Sequence, residues 1–101
     1  MTNEKKTLTC KLTTPELQHR RATVIRELKV LLLRKEEIAD GYRYSFPTDD
    51  STLDKLLSFI KSERLCCDFF SFKISIAATD ASLDISGPEG SKEFLDHEVG
   101  F

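Results

Sequence analysis

The chain has no long hydrophobic run, so the sequence predicts no transmembrane helix. Its length is 101 residues, and no stretch approaches the roughly 18 consecutive apolar residues that a transmembrane helix requires. The first six residues are polar and no apolar run follows them, so the sequence does not predict a secretory signal. We therefore expect a soluble, cytoplasmic protein with no membrane partner.

The number of cysteines in the chain is odd. The chain contains three, so a fully paired disulfide framework is excluded, and a reducing cytosol is the expected environment. A length near 100 residues is typical of one compact domain with a single core. We predict one domain over residues 1–101, in which residues 1–6 form a flexible tail.

A strong net charge is absent, but the charge that is present is unevenly distributed. The formal net charge is −2. Residues 1–35 carry nine basic against three acidic side chains, and residues 36–101 carry six against fourteen. The predicted pI is about 5.7, and the basic segment has no interleaved aromatic residues, so we do not expect a nucleic-acid partner. The basic segment is interpreted as a solvated helix face.

The first half of the chain predicts a strand, a helix and a hairpin. Leu8, Cys10 and Leu12 alternate with polar residues, which indicates a half-buried strand with Cys10 facing the core. A helix follows, capped either by Thr13 in a capping box or by Thr14 with a proline at the first helical position. The run after Val30 is ambiguous, because three consecutive leucines can end a helix or begin a strand.

The dipeptide Asp40-Gly41 is a strong hairpin signal between two alternating segments. We predict a three-residue loop that ends at Gly41 in the left-handed conformation, which places Ile38 opposite Tyr42. A two-residue Asp-Gly loop is the alternative and places Ile38 opposite Arg43. The pairing of Ile38 with an aromatic residue favours the longer loop.

The second half repeats a helix followed by a hairpin. The polar cluster at residues 48–51 supplies helix caps, a capped helix reaches Cys67, and two alternating segments with Phe72, Ile74, Leu83 and Ile85 form the second hairpin. A Gly-Pro turn then leads into a short helix. The predicted order is β-α-β-β-α-β-β-α. This order predicts an α+β fold related to ferredoxin-like folds, with a mainly antiparallel sheet of about five strands and helices on one face.

The most unusual chemistry lies in the segment at residues 63–72, where Glu63 precedes two adjacent cysteines by three and four residues. At this spacing on a helix, the carboxylate lies on the same side as both thiols. Adjacent cysteines suit zinc poorly, because structural zinc sites separate their cysteines by two to four residues. A soft ion such as Cu(I) accepts few thiolates, so the candidate ligands are Cys66, Cys67, Glu63 and Cys10.

Two other interpretations of the cysteines differ in class. A catalytic thiol is disfavoured, because Cys66 and Cys67 lie at the C-terminus of a predicted helix, where the dipole opposes a thiolate. An enzyme is therefore the least favoured of the three interpretations. The remaining alternative is a non-enzymatic protein-interaction module whose cysteines are only core residues, with a protein partner or a homo-oligomer as its complex. Two accessible thiols favour a soft-metal or thiol-reactive ligand, and buried thiols favour the module.

Several blocks of the chain resemble a family of small, uncharacterised bacterial proteins. The blocks are Cys-Lys-Leu at residues 10–12, Asp-Gly-Tyr-Arg-Tyr-Ser-Phe at 40–46, Glu-Arg-Leu-Cys-Cys-Asp-Phe-Phe-Ser-Phe at 63–72 and a Gly-Pro-Glu-Gly turn with its helix at 87–95. Relatives usually carry proline where this chain has Asp68. Some members are associated with heavy-metal resistance gene clusters, so the resemblance implies a soft metal ion as the ligand.

Overall fold

The computed structural model describes residues 14–101 and has the α+β fold that the sequence predicts. The predicted first strand, with Leu8, Cys10 and Leu12, lies outside the described residues. The described elements in chain order are α1 (Pro15–Leu31), β1 (Arg34–Ile38), β2 (Gly41–Phe46), α2 (Asp50–Cys66), β3 (Ser71–Ile76), β4 (Ala81–Ser86) and α3 (Ser91–Phe94), which continues into a π-helical turn (Leu95–Val99).

The described strands form one antiparallel sheet in the order β1-β2-β4-β3. The sequence predicts about five strands, and the described part of the chain contains four. Because β4 pairs antiparallel with both β2 and β3, those two strands run parallel to each other with β4 between them. They are connected by α2, which gives the split β-α-β unit found in ferredoxin-like folds.

One face of the sheet is buried and the other is polar. The buried face and all helical elements share one core, to which the strands contribute Tyr44, Phe46, Ala81, Leu83 and Ile85, and the helices Ile25, Leu28, Leu56, Phe59, Cys66, Leu95 and Val99. On the opposite face, Arg43 and Asp84 face each other across β2 and β4 and form an ion pair. The helices therefore cover a single face, as the alternation of apolar residues along the strands predicts.

The helix boundaries follow from local capping. The hydroxyl of Thr14 accepts from the backbone N–H of Leu17 at 3.3 Å, and a proline occupies the first helical position, so the Thr14 alternative is correct. The ambiguous leucine run ends the helix, because α1 stops at Leu31. The N–H of Leu33 then donates to the carbonyl of Ser45 and leads the chain into β1. No helix among residues 14–101 is long and apolar enough to cross a bilayer.

The predicted register of the first hairpin is wrong. Ile38 lies opposite Gly41 and Glu37 opposite Tyr42, so the loop consists of two residues, Ala39 and Asp40. Gly41 does not adopt the left-handed conformation. A Cβ at Gly41 would lie 1.8 Å from the carbonyl oxygen of Ile85. The glycine is therefore required for close approach of β4, not for the turn.

The Asp49 cap of α2 makes the stability of the fold depend on pH. Its carboxylate accepts from the hydroxyl and the backbone N–H of Thr52, and these bonds lower the pKa of Asp49. A lowered folded-state pKa means that the cap stabilises above the ordinary Asp value of about 3.9 and that this contribution is lost as the pH falls. We expect Asp49→Ala to lower the urea midpoint at pH 7, and the deficit to shrink in acid. A deficit that grows as the pH falls would contradict this account.

Candidate functional site

The candidate site lies at the C-terminal end of α2, on the side that faces the core. The spacing of Leu56, Phe59, Glu63 and Cys66 places all four on one buried stripe of the helix. Cys67 caps the helix, and its N–H donates to the carbonyl of Glu63 at 2.6 Å. Glu63, Cys66 and Cys67 each have 0% of their surface exposed. The structure therefore brings three predicted site residues together inside the core.

A fourth residue of the site, Arg21 of α1, was not predicted from the sequence. Its guanidinium donates from Nε to Oε2 of Glu63 at 2.7 Å and from Nη2 to Oε1 at 2.9 Å. The Arg21 side chain is 12% exposed and that of Glu63 is 0% exposed. Burial of Arg21 opposes its charge, but the hydrogen bonds and charge of Glu63 outweigh burial and raise the pKa of Arg21. This ion pair, with its two hydrogen bonds, links α1 to α2.

A signal for Arg21 is present in the sequence. Glu63 falls in the apolar stripe of α2, and a buried carboxylate requires a cation or several hydrogen bonds. Three arginines, Arg20, Arg21 and Arg26, lie on α1, and the sequence alone does not show which of them is the partner of Glu63. Only the packing of α1 against α2 determines which one faces Glu63. The earlier interpretation of this segment as a solvated face is therefore wrong for Arg21.

The two cysteines differ in chemical state. Cys66 is disulfide-bonded, whereas Cys67 is a free, buried thiol. The sulfur of Cys67 lies 3.5 Å from Oε1 of Glu63 and 3.5 Å from the sulfur of Cys66. Burial, followed by the negative charge of Glu63, raises the pKa of Cys67 to about 12, although Arg21 acts in the opposite direction. Cys67 is therefore protonated at neutral pH.

In the described arrangement, a soft metal ion would have to displace existing partners of these residues. Both oxygens of Glu63 accept hydrogen bonds from Arg21, so neither can bind a metal until those bonds break. Soft ions bind thiolates, so binding here requires loss of the Cys67 proton, which the raised pKa of that thiol makes less favourable, and reduction of the disulfide at Cys66. We call Arg21, Glu63, Cys66 and Cys67 the core cluster.

The fourth predicted ligand, Cys10, lies outside the described residues. Within residues 14–101, no group of three or more histidine, cysteine or acidic side chains is positioned to hold a metal ion. A turn follows the cysteines at the position where relatives usually carry proline, and in it the N–H of Phe70 donates to the carbonyl of Cys67 at 3.2 Å. This turn directs the chain from the core cluster into β3.

Comparison of the chain with protein-family models, with curated proteins and with solved structures gives no match in any of the three. The interpretation of the site therefore depends on its geometry.

Proposed function

We propose that this protein is a non-enzymatic protein-interaction module, in which the core cluster stabilises the fold. The observation that carries the proposal is the complete burial of Glu63, Cys66 and Cys67. The Glu63 carboxylate accepts hydrogen bonds from Arg21, and the Cys67 sulfur lies 3.5 Å from that carboxylate and 3.5 Å from the sulfur of Cys66. The cluster links α1 to α2 through the Arg21–Glu63 ion pair. Because the cluster is buried, we assign the binding function to the surface of the protein.

The surface most suited to binding is the outer edge of β3. The other edge strand, β1, carries the consecutive charges Arg34, Lys35, Glu36 and Glu37, and charged residues of this kind protect an edge against pairing. By contrast, β3 carries one charge, Lys73, among serines and apolar residues. No strand among residues 14–101 pairs with its outer side. An edge of this type accepts an extended segment by main-chain hydrogen bonding.

Apolar exposure at the same strand supports this assignment. Phe72, Ile74 and Ile76 alternate along β3 on the face that the helices cover, yet Ile76 is 59% exposed and the other two are only half-buried. A strand added at this edge would place its own apolar side chains beside these three. Main-chain pairing supplies affinity, and such alternate side chains supply specificity.

The second candidate function is binding of a soft metal ion or a thiol-reactive ligand at the core cluster. It is favoured by the 3.5 Å separation of the two sulfur atoms and by the position of the Glu63 carboxylate beside Cys67. It requires reduction at Cys66, ionisation of Cys67 and displacement of Arg21. Because each of these changes costs free energy in the core, the interaction module is the better-supported function.

Site-specific photo-crosslinking in cells that produce the protein tests the proposal. A photoreactive amino acid at Ser75 on β3 should give a discrete protein adduct, and the same group at Glu36 on β1 should not. Excess unlabelled protein should suppress the adduct, and Ile74→Lys should abolish it. The absence of an adduct specific to β3, or equal adducts from both edges, would contradict the assignment of β3 as the interaction surface.

A further inference from the structure

We infer that Cys10 is the disulfide partner of Cys66, so that the core cluster is covalently linked to the N-terminal segment of the same chain. Cys66 is disulfide-bonded, and Cys67 is a free thiol. The chain contains three cysteines, and the one that remains is Cys10, which lies outside the described residues. This inference goes beyond the proposed function and does not depend on it, because it concerns the core and not the surface.

The burial of Cys66 favours a partner within the chain over a partner from outside it. Cys66 has 0% of its surface exposed and ends α2 on the side that faces the core. A bond to a second copy of the chain or to a small thiol such as glutathione would require the core to open, because a close-packed interior has no room for an added group. The alternation at residues 8–12 predicts that Cys10 faces the core. Cys10 can therefore be buried together with Cys66 as the chain folds.

The neighbouring thiol of Cys67 is poorly suited to replace Cys10 in this bond, although its sulfur lies 3.5 Å from that of Cys66. Exchange would require the Cys67 thiolate to attack the sulfur of Cys66 and to release Cys10 as a thiolate. Burial and the charge of Glu63 disfavour that thiolate. In addition, the Cα atoms of consecutive residues are about 3.8 Å apart, which is below the roughly 4.4 Å that disulfides ordinarily need.

The bond would constrain the first half of the described fold. A cross-link between residues 10 and 66 encloses α1, the first hairpin and α2. Such a bond reduces the freedom of the unfolded chain and thereby stabilises the folded one. A dithiol reductant opens it by supplying two electrons and two protons, so that two cysteine thiols form and the dithiol becomes a cyclic disulfide. Because Cys66 is buried, we expect this reduction to be slower in the folded chain than in urea.

Thiol counting on the full chain, folded in a buffer of reduced and oxidised glutathione, tests the inference. Alkylation in denaturant should add one group to the parent before reduction by a dithiol and three groups after it. Tryptic digestion of the unreduced parent should give one peptide pair joined through Cys10 and Cys66, with the alkyl group on Cys67. Three alkyl groups without reduction, a chain of doubled mass, a glutathione adduct or a bond between Cys66 and Cys67 would each overturn the inference.

Urea unfolding of the same samples tests whether the bond constrains the folded structure. Reduction should lower the urea midpoint of the parent by about 1 M or more. It should leave the midpoint of Cys10→Ser unchanged, because that variant has no bond to open. Cys67→Ser is the matched control, since it removes a thiol of the core cluster but retains the bond, and reduction should lower its midpoint as in the parent. A parent midpoint that reduction does not change, or an equal decrease in Cys10→Ser, would overturn the inference.

Discussion

Replacing Arg21 with alanine should destabilise the fold by about 3 to 5 kcal/mol, because the change leaves the buried Glu63 carboxylate without its counter-charge. Glu63 is fully buried, and Arg21 provides two hydrogen bonds to it. Removal of one partner of such a pair is more damaging than removal of both, since the remaining charge cannot be solvated. Urea unfolding followed by circular dichroism measures the loss.

The matched control replaces both partners with methionine. Arg21→Met combined with Glu63→Met leaves no buried charge and preserves much of the side-chain volume, so it should recover most of the stability lost in Arg21→Ala. A loss below about 1 kcal/mol for Arg21→Ala would mean that water screens the pair, as it does at the surface. That result would remove the structural role that we assign to the core cluster.

Replacing Gly41 with alanine should cost about 3 kcal/mol or more, because the new methyl group overlaps backbone atoms of β4. The ideal Cβ position lies 1.8 Å from the carbonyl oxygen of Ile85 and 2.9 Å from the Cα of Ser86. Backbone atoms of a central strand cannot move aside as a flexible side chain can. Thermal or urea unfolding should therefore show a large loss of stability, with weakened pairing of β2 and β4.

Asparagine substitutions distinguish close approach of the β4 backbone from a left-handed turn conformation as the reason for glycine at position 41. A left-handed position accepts asparagine, so Gly41→Asn would be mild if Gly41 belonged to the turn, and it should be as damaging as Gly41→Ala if close approach is the cause. Gly100 serves as the control, because its φ is +71° and the nearest atom to an added Cβ is the Lys29 ammonium at 3.4 Å. Gly100→Asn should therefore cost little. Equal effects at the two glycines would contradict the close-approach argument.

The pattern of elements in the described residues could be predicted, because it depends on local chemistry. The caps at Thr14 and Asp49 and the alternation along β3 and β4 follow from hydrogen bonding and from the period of the strand. The hairpin register could not be predicted in the same way. The dipeptide Asp40-Gly41 matches the sequence pattern of a hairpin turn. The backbone that requires glycine at this position belongs to β4, which is more than 40 residues away in sequence.

The candidate site was predicted in part for a similar reason. Helical spacing placed Glu63 on the same buried side as Cys66 and beside Cys67, because the three residues lie within about one turn at the end of α2. The contact with Arg21 crosses 42 positions and depends on how α1 packs against α2. Sequence spacing also could not reveal that Cys66 and Cys67 are fully buried or that Cys66 is disulfide-bonded, and these properties favour a structural cluster over a ligand site.

Titration of the reduced chain with Cu(I) in excess competing thiol, followed by native mass spectrometry, tests the central claim that the core cluster is structural. We expect the folded parent to retain no Cu(I) and to match Cys67→Ser and Glu63→Gln, because Arg21 occupies the carboxylate and the Cys67 thiol is buried and protonated. The same chain in urea exposes the adjacent thiols and should bind Cu(I), which shows that the assay detects the ion. Retention of one Cu(I) per folded chain, lost in Cys67→Ser and weakened in Glu63→Gln, would contradict the structural role and establish a soft-metal site.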